Sequence, residues 1–405
     1  MDTIKLFEAA LDIRSPWSIA ACEFSSEERQ LVMRMEFAEG SRFACPACQA
    51  AGCAVHDTKP QRWRHLDFFQ HKAFIEAKVP RVRCESCGCV RMVDVPWARK
   101  NSGFTLLMES LIMELVKHMP VLPLARLIGV SDGAIWRVLA FHVERAIASM
   151  DLSQVREIGV DETSARRGHE YISMFYDLIQ RRLVHVAEGK DASVIAEFAM
   201  ALADRGVKAE VIREVSCDMS SAMIKGITEH LPKAEITFDK FHVFKLLGDA
   251  IDKVRRQEMR KDQTLKGSRY SLLKNPENLT TKQREVLTEV QQRNAKLAEA
   301  YRLKETFRDV YRQSSKADAR GMLKAWVTSA YESGIAAMRT VADTIRKQWD
   351  GILRWYDTQI TNAIMEGLNS LLQAAKRKAR GYRTMRNLRL IAFLVAGRLD
   401  FKLAA

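Results

Sequence analysis

Cys45-Pro46-Ala47-Cys48 and Cys84-Glu85-Ser86-Cys87 are two Cys-x-x-Cys pairs with 35 residues between them, and no other feature restricts the folding of this chain as sharply. Each pair makes a tight knuckle, and a tetrahedral zinc shared by two knuckles forces the chain between them to run out and return as a ribbon. Ile75, Ala77 and Val79 alternate with Glu76 and Lys78 ahead of the second pair, as a strand feeding that knuckle would. Seven of the eight cysteines precede residue 90. In a reducing cytosol, thiols clustered this way bind metal more readily than they form disulfides. Cys53, His56 and Cys89 stand close enough in sequence to substitute as ligands, so the spacing leaves the set open around Cys45, Cys48, Cys84 and Cys87.

A chain of 405 residues is too long for one core and should form two to four units. Its net charge of +14 favours a polyanionic partner such as nucleic acid. The first twenty residues carry Asp2, Glu8 and Asp12 and lack the apolar core of a signal peptide. No apolar run approaches the roughly 20 residues needed to span a bilayer. A soluble, cytoplasmic protein is expected, with no membrane partner, associated with the nucleoid when bound to DNA. Around the knuckles lie Arg62, Trp63, Arg64, His65, Lys72, Lys78, Arg81, Arg83 and Arg91, a mix that suits phosphate contacts, with Arg64 the candidate among them.

From residue 104 to about 147 the periodicity turns helical, with segments at 108–119 and 123–129, a turn at Val130-Ser131-Asp132-Gly133, and a last helix from Ala134. This pattern resembles a helix-turn-helix. In the last helix Ile135, Val138, Leu139 and Val143 face a core, leaving Trp136, Arg137 and Ala140 outward, and Trp136 and Arg137 are candidates for the major groove.

Beyond Asp151 short β-like runs at 157–163, 170–179 and 182–187 read as a meander, with Gly168 and the Gln180-Arg181 pair at its turns. A helix over 191–205 then precedes a strand at 211–217, which a crossover can bring parallel to the first. A helix at 221–231 leads to a strand at 235–238. Residues 245–350 read as helices, interrupted near Pro276 and at Ser314-Ser315.

Asp161 closes the run Glu157-Ile158-Gly159-Val160, and Asp218 closes Val215-Ser216-Cys217. An unpaired charge is costly to bury, so carboxylates at such positions suit a hard divalent cation such as Mg²⁺. A third acid, Glu366, sits in a helix over 361–379 that buries Ile364, Leu368, Leu371, Leu372 and Ala375. Glu366 shares the opposite face with Asn362, Asn369, Gln373 and Arg377, which on its own is a solvated stripe. Its continuation weighs the other way: Lys376, Arg377, Lys378, Arg380, Arg383, Arg386 and Arg389 give seven cations and no anion from 376 to 389, a run that draws a DNA backbone. Carboxylates holding two metal ions about 3.5–4 Å apart can clamp the attacking and leaving oxygens of a phosphodiester. Trp349 or Trp355, ahead of this helix, serves either core packing or stacking on an unpaired base.

At these residues the chain resembles the DDE transposases of the ISL-three insertion-sequence family over nearly its whole length. The parts occur in the family's order: the knuckles with Trp63-Arg64-His65-Leu66-Asp67, the helix-turn-helix, Gly159-Val160-Asp161-Glu162, Asp218-Met219-Ser220, Phe238-Asp239-Lys240-Phe241-His242, and Thr361-Asn362-Ala363 through Glu366-Gly367-Leu368-Asn369. The resemblance implies an α/β multidomain chain with a zinc ribbon, a helix-turn-helix and an RNase H-like catalytic domain interrupted by an all-α insertion. The corresponding segments are 1–40, 41–97, 98–150, 151–245, 246–354 and 355–405. It implies Asp161, Asp218 and Glu366 as the acidic triad with two Mg²⁺ or Mn²⁺ ions, Zn²⁺ on Cys45, Cys48, Cys84 and Cys87, and Asp239 and His242 in support through an Asp-x-x-His signature. It implies DNA as partner, both terminal inverted repeats and target, cleavage at those repeats, joining of a 3′ hydroxyl to the target, and a homo-oligomer of at least two chains. The rival is a DNA-binding regulator whose RNase H-like domain is inactive; the presence of all three acids weighs against it.

Overall fold

In the computed structural model of the chain, residues 3–166 and 170–403 are described, and they group into two units, Met1–Ser149 with Leu399–Ala405, and Met150–Arg398. The turn expected at Gly168 lies outside the described residues.

In the first unit a short helix, α1 (Thr3–Ala10), precedes six strands: β1 (Trp17–Ser25), β2 (Gln30–Phe37), β3 (Arg42–Phe43), β4 (Cys53–Phe68), β5 (His71–Arg83) and β6 (Val90–Met92). They form one sheet in the order β1-β2-β5-β4-β3, with β6 added to β5. Long β4 and β5 run antiparallel from Val55↔Val82 to Phe68↔His71, so the chain leaves one knuckle and returns to the other. The expected alternation holds, with Ile75, Ala77 and Val79 buried while Lys78 is exposed. Trp17, Trp63 and Trp97 meet edge to face at 4.9 and 5.7 Å and anchor this core. Trp63 is therefore a core residue, not part of a phosphate-binding mix.

Three helices follow: α2 (Leu106–His118), α3 (Val121–Ile128) and α4 (Asp132–Ala148). Both α3 and α4 begin two residues earlier than the sequence suggested. Pro123 is accommodated in the first turn of α3, where no intrahelical N–H bond is required. Ser131 caps α4 by accepting from Ala134 N–H at 3.3 Å. Ile135, Val138, Leu139 and Val143 are buried as expected, but so is Ala140, which was assigned to the outer face. Inside this bundle Glu109, fully buried, accepts from Arg99 Nε at 2.8 Å and Ser102 Oγ at 2.6 Å and bonds His142 Nε2 at 2.8 Å, tying α2 to α4.

The second unit is built on a five-stranded sheet of order β11-β10-β7-β8-β9. The strands are β7 (Glu157–Arg166), β8 (Glu170–Asp177), β9 (Arg182–Glu188), β10 (Glu214–Cys217) and β11 (Glu235–Phe238). The first three form an antiparallel meander; β10 is parallel to both β7 and β11. Helices α5 (Ser193–Ala203) and α6 (Ser221–His230) make the crossovers. Phe175 of β8 stacks on Phe198 of α5 at 4.6 Å, which fixes that helix to the sheet. Eight helices then follow among the described residues, α7 (Lys240–Met259), α8 (Arg269–Leu273), α9 (Thr281–Arg293), α10 (Ala295–Phe307), α11 (Lys316–Glu332), α12 (Ala336–Lys347), α13 (Trp349–Leu353) and α14 (Trp355–Thr358). The chain returns to the sheet through α15 (Ala363–Ala379) and ends with α16 (Met385–Ala396). No helix among the described residues is long and apolar enough to cross a membrane.

Candidate active site

Gly159 decides where α15 rests. A Cβ at this position of β7 would overlap the Met365 sulfur and crowd Leu178 Cδ2 at 2.9 Å, so only a residue without a side chain lets the helix seat. From that seat the two elements proceed together. The Asn369 amide donates to Asp161 Oδ2, Gln373 Nε2 donates to Thr163 Oγ1 at 2.6 Å, and Lys376 Nζ donates to the Ser164 carbonyl at 2.6 Å. Tyr176 O–H of β8 donates to the other end of the Asn369 amide, which fixes that amide's orientation toward Asp161.

This arrangement corrects the expected helix face. Met365 and Leu372 are the buried positions, Leu371 is exposed, and Asn369 and Gln373 lie against β7 instead of forming a solvated stripe. Asp161 does not close its strand, because β7 continues to Arg166 with Asp161 paired opposite Met174. What ends there is the neighbouring strand. The parallel register matches Ser216 to Gly159, so Asp218, two residues past Ser216, emerges alongside Asp161.

The electrostatics follow from the crowding. Burial pushes the Asp161 carboxyl above its ordinary range, and the negative charges of Asp218 and Glu366 push it further, with partial relief from His242 and from the Glu162 N–H at 2.9 Å. Glu366 is itself exposed, in the first turn of α15, where a helix favours a negative charge. The adjacent Glu162 is raised to about 7, first by burial and then by Asp218, with Lys190 opposing. All three acids singled out from the sequence thus belong to one electrostatic neighbourhood.

Asp239 and His242 join it through Asn362, which sequence reasoning placed on the outer face. Asp239 caps α7 by accepting from Phe241 N–H at 2.5 Å and accepts from Asn362 N–H at 2.5 Å. The buried Asn362 side chain takes the Ser216 hydroxyl at 3.0 Å on its oxygen and meets His242 Nε2 at 3.0 Å with its nitrogen. The partners of Ser216, Asn362 and Asn369 lie between 120 and 208 residues away in the chain, so no local pattern showed these contacts, although Asn362 and Asn369 stand in the motif at 361–369. Trp355 packs edge to face on Tyr311 at 5.5 Å and Tyr356 at 5.2 Å, the core-packing alternative.

In the first unit the sulfurs of Cys45, Cys48, Cys84 and Cys87 lie within 4.8 Å of one another, and among the described residues no other set of potential ligands is so closely gathered. Sulfur separations of 3.8 Å for Cys45–Cys87 and 3.5 Å for Cys48–Cys84 approach the edge of about 3.8 Å that a tetrahedron with Zn–S of about 2.3 Å requires. The site fits a structural zinc. Cys89 Sγ reaches Cys87 at 3.1 Å but stands outside the four, Cys53 donates to the Ala50 carbonyl, and His56 is exposed.

Candidate DNA contacts divide by burial. Arg64 is buried, and its guanidinium donates to the carbonyls of His65 and Ala73 and to Asp67, so it braces β4 and does not reach a ligand. Arg62 and Arg81 are paired with Glu76 and Asp57. On α4, Arg137 is exposed and Trp136 half-buried. Lys376, Arg377 and Lys378 occupy the last turn of α15, and Arg380 and Arg383 the connection to α16.

A four-thiol ribbon, a helix-turn-helix and a mixed α/β unit with an acidic site define a DNA-binding protein with a second, chemical unit. Residues 158–392 match the transposase model of the ISL3 family, 93–143 the helix-turn-helix domain of transposase family ISL3, and 41–87 the zinc-finger of the transposases of IS204, IS1001, IS1096 and IS1165. The chain belongs to the ISL3 family of insertion-sequence transposases. It is 28% identical over 347 residues to the transposase for insertion sequence element IS1001 of Bordetella parapertussis, covering 84% of this chain and 85% of that one. To the transposase for insertion sequence element IS1557 of Mycobacterium tuberculosis (strain ATCC 25618 / H37Rv) it is 26% identical over 432 aligned positions, covering 97% and 96%.

Proposed function

We propose that the unit Met150–Arg398 carries out divalent-metal-dependent DNA strand cleavage and strand transfer at the ends of an insertion sequence, with Asp161, Asp218 and Glu366 as its acidic triad. The observation that carries this reading is the Asp161 carboxyl, raised by burial and by two further carboxylates with no lysine or arginine among its main influences. Like charges gathered in a desolvated site are unfavourable unless a cation answers them. The donors are all oxygen, which suits Mg²⁺ or Mn²⁺. When bound, two such ions neutralise phosphate charge and activate the attacking oxygen.

The chain's own residues align that chemistry. Asn369, held by Tyr176, aims Asp161. Asp239 and Asn362 tie the start of α15 to α7 and β10, and His242, steadied by Asn362, supports the acids from the side. In-line attack, first by water and then by the freed 3′ hydroxyl, needs no covalent enzyme intermediate. We read the sheet as RNase H-like, supported by a meander extended by two parallel crossover strands, and the helices α7 to α14 as an all-α insertion. In this reading the segments 1–40, 41–97, 98–150, 151–245, 246–354 and 355–405 are the working divisions. Trp136 and Arg137 contact the terminal repeats, while Lys376, Arg377, Lys378, Arg380 and Arg383 draw the backbone toward the acids. Two ends must be held together, so the active species is at least a dimer, acting on chromosomal DNA in the cytoplasm.

The test incubates the protein with Mg²⁺ or Mn²⁺, a target plasmid and DNA carrying the terminal repeats that flank the gene, and looks for joined products. Joining is expected, with loss in Asp161→Ala and in Glu366→Ala. Joining that survives either substitution would refute the triad, and repeat binding without cleavage would favour the regulator.

A further inference from the structure

The end of β7 and the last turn of α15 open onto a cavity of about 850 Å³ whose wall includes Arg166, Lys376, Arg377, Arg380, Tyr382 and Arg383. Among the described residues its lining carries five cations and no carboxylate. Two of them, Lys376 and Arg377, have an ordinary explanation, since the C-terminal end of a helix presents about half a negative charge and attracts bases. That explanation extends to Arg380, the C-cap of α15, but not to Arg166, which arrives from the sheet, or to Arg383, which lies beyond the helix. Half a negative charge also cannot balance five positive ones. Glu170, 3.6 Å from Arg166, is the acid nearest to that guanidinium and answers one charge at most.

The wall is built, not incidental. Arg380 (φ 58°) and Gly381 (φ 94°) are consecutive left-handed residues that turn the chain sharply after α15, the second best met by glycine. The turn brings Tyr382 and Arg383 back over the space. Lys376 donates to the Ser164 carbonyl at 2.6 Å and the Arg166 guanidinium donates to the Arg383 carbonyl, so sheet, helix and turn hold one another.

Size and position restrict the occupant. A cavity of this volume is that of a small-ligand pocket, roughly 300–1,000 Å³, and holds one or two nucleotides but not a duplex. It lies on the line that leads away from the acids. Arg166 is five strand residues past Asp161, about 16 Å by strand rise, and Arg377 is eleven helix residues past Glu366, also about 16 Å by helix rise. Tyr382 is half-buried and lines the same wall as the cations, and an aromatic ring among cations is the combination that binds unpaired strands without reading sequence.

We infer that this cavity receives unpaired nucleotides of a DNA strand leaving the cleavage site, with phosphate on the arginines and a base stacked on Tyr382. The direction of the strand rests on the proposed function; the binding does not. The experiment uses the full chain without added Mg²⁺ or Mn²⁺, so no chemistry intervenes. Two probes are compared: a blunt terminal-repeat duplex, and the same duplex with a three-nucleotide single-stranded tail bearing 2-aminopurine at its first unpaired position. One stacked base should favour the tailed probe by about 10-fold and quench its fluorescence. Tyr382→Ala should bring the preference below about 2-fold while blunt binding persists, Tyr382→Phe should keep it, and Arg380→Ala combined with Arg383→Ala should remove it. Glu366→Gln should leave it intact, which separates failure of the cavity from failure of the triad. Equal binding of both probes by the unmodified protein, or a preference unchanged in Tyr382→Ala, would overturn the inference.

Discussion

Glu109 in the helix-turn-helix and Asp161 in the sheet unit are both carboxylates withdrawn from water, and their surroundings treat them in opposite ways. Around Glu109 burial alone would favour the neutral acid, but bonds from His142, Arg99 and Ser102 outweigh it and hold the carboxyl below its usual range. Around Asp161 burial acts in the same direction, the Glu162 N–H and His242 oppose it without overcoming it, and the neighbours Asp218 and Glu366 add to it, so the carboxyl stays above its usual range. The first acid is satisfied by its own chain and serves as a strut. The second is left in want of positive charge, which is the condition of a ligand-binding site.

The largest effect expected from this contrast is chemical. Asp161→Asn should lower strand joining on the order of 10³-fold or more, yet leave the thermal midpoint of its unit unchanged or raised, because a repelled charge has gone. A clear drop in that midpoint would make Asp161 a strut after all. Next, Glu109→Gln should destabilise the first unit by about 3–5 kcal/mol, the penalty for breaking a buried ionic cluster from one side, read by chemical denaturation. A loss below about 1 kcal/mol, the range of an exposed pair, would erase the distinction.

A smaller loss, about 1–3 kcal/mol in the second unit, is expected for Gly159→Ala, since the added methyl collides with Met365 and Leu178. Joining should fall with it as Asn369 withdraws from Asp161; full activity would show that the seat is not needed. The subtlest effect is in pH. Glu109, with its folded value depressed, contributes stability that is present above its unfolded value near 4.5 and lost as pH falls through the folded value. Glu162, raised to about 7, does the reverse, opposing folding increasingly as pH rises from its unfolded value near 4.5 through 7. Glu109→Gln should therefore flatten the first unit's loss of stability below about pH 4.5, and Glu162→Gln the second unit's loss between about pH 4.5 and 7; a melting profile unchanged in either variant would contradict that assignment.

Much of this was legible in sequence where the cause is local. Paired thiols at knuckle spacing, the core face Ile135–Val138–Leu139–Val143, and acids following apolar runs each declare themselves within a few residues. Arg64 did not, because what buries it is remote: its backbone pairs with Gly103 and Thr105, some 40 residues on, and so closes over β4. Composition cannot distinguish an arginine that braces carbonyls from one that meets phosphate. The helix of Glu366 was misjudged for a related reason. Its amphipathic pattern assumes a greasy neighbour, whereas β7 offers Asp161, Thr163 and a carbonyl, so polar residues mark the contacting face.

The contact of β7 with α15 also works as a vernier. Strand positions 159, 161, 163 and 164 meet helix positions 365, 369, 373 and 376. Two strand residues advance about 6.6 Å and four helix residues about 6.0 Å, so the scales stay in step for only a few divisions. One residue inserted or deleted within 366–376 would turn everything beyond it by about 100°, parting the cations from the acids even if the fold survived. Length variation among relatives should therefore gather in the helices between α7 and α14 and be absent from this stretch.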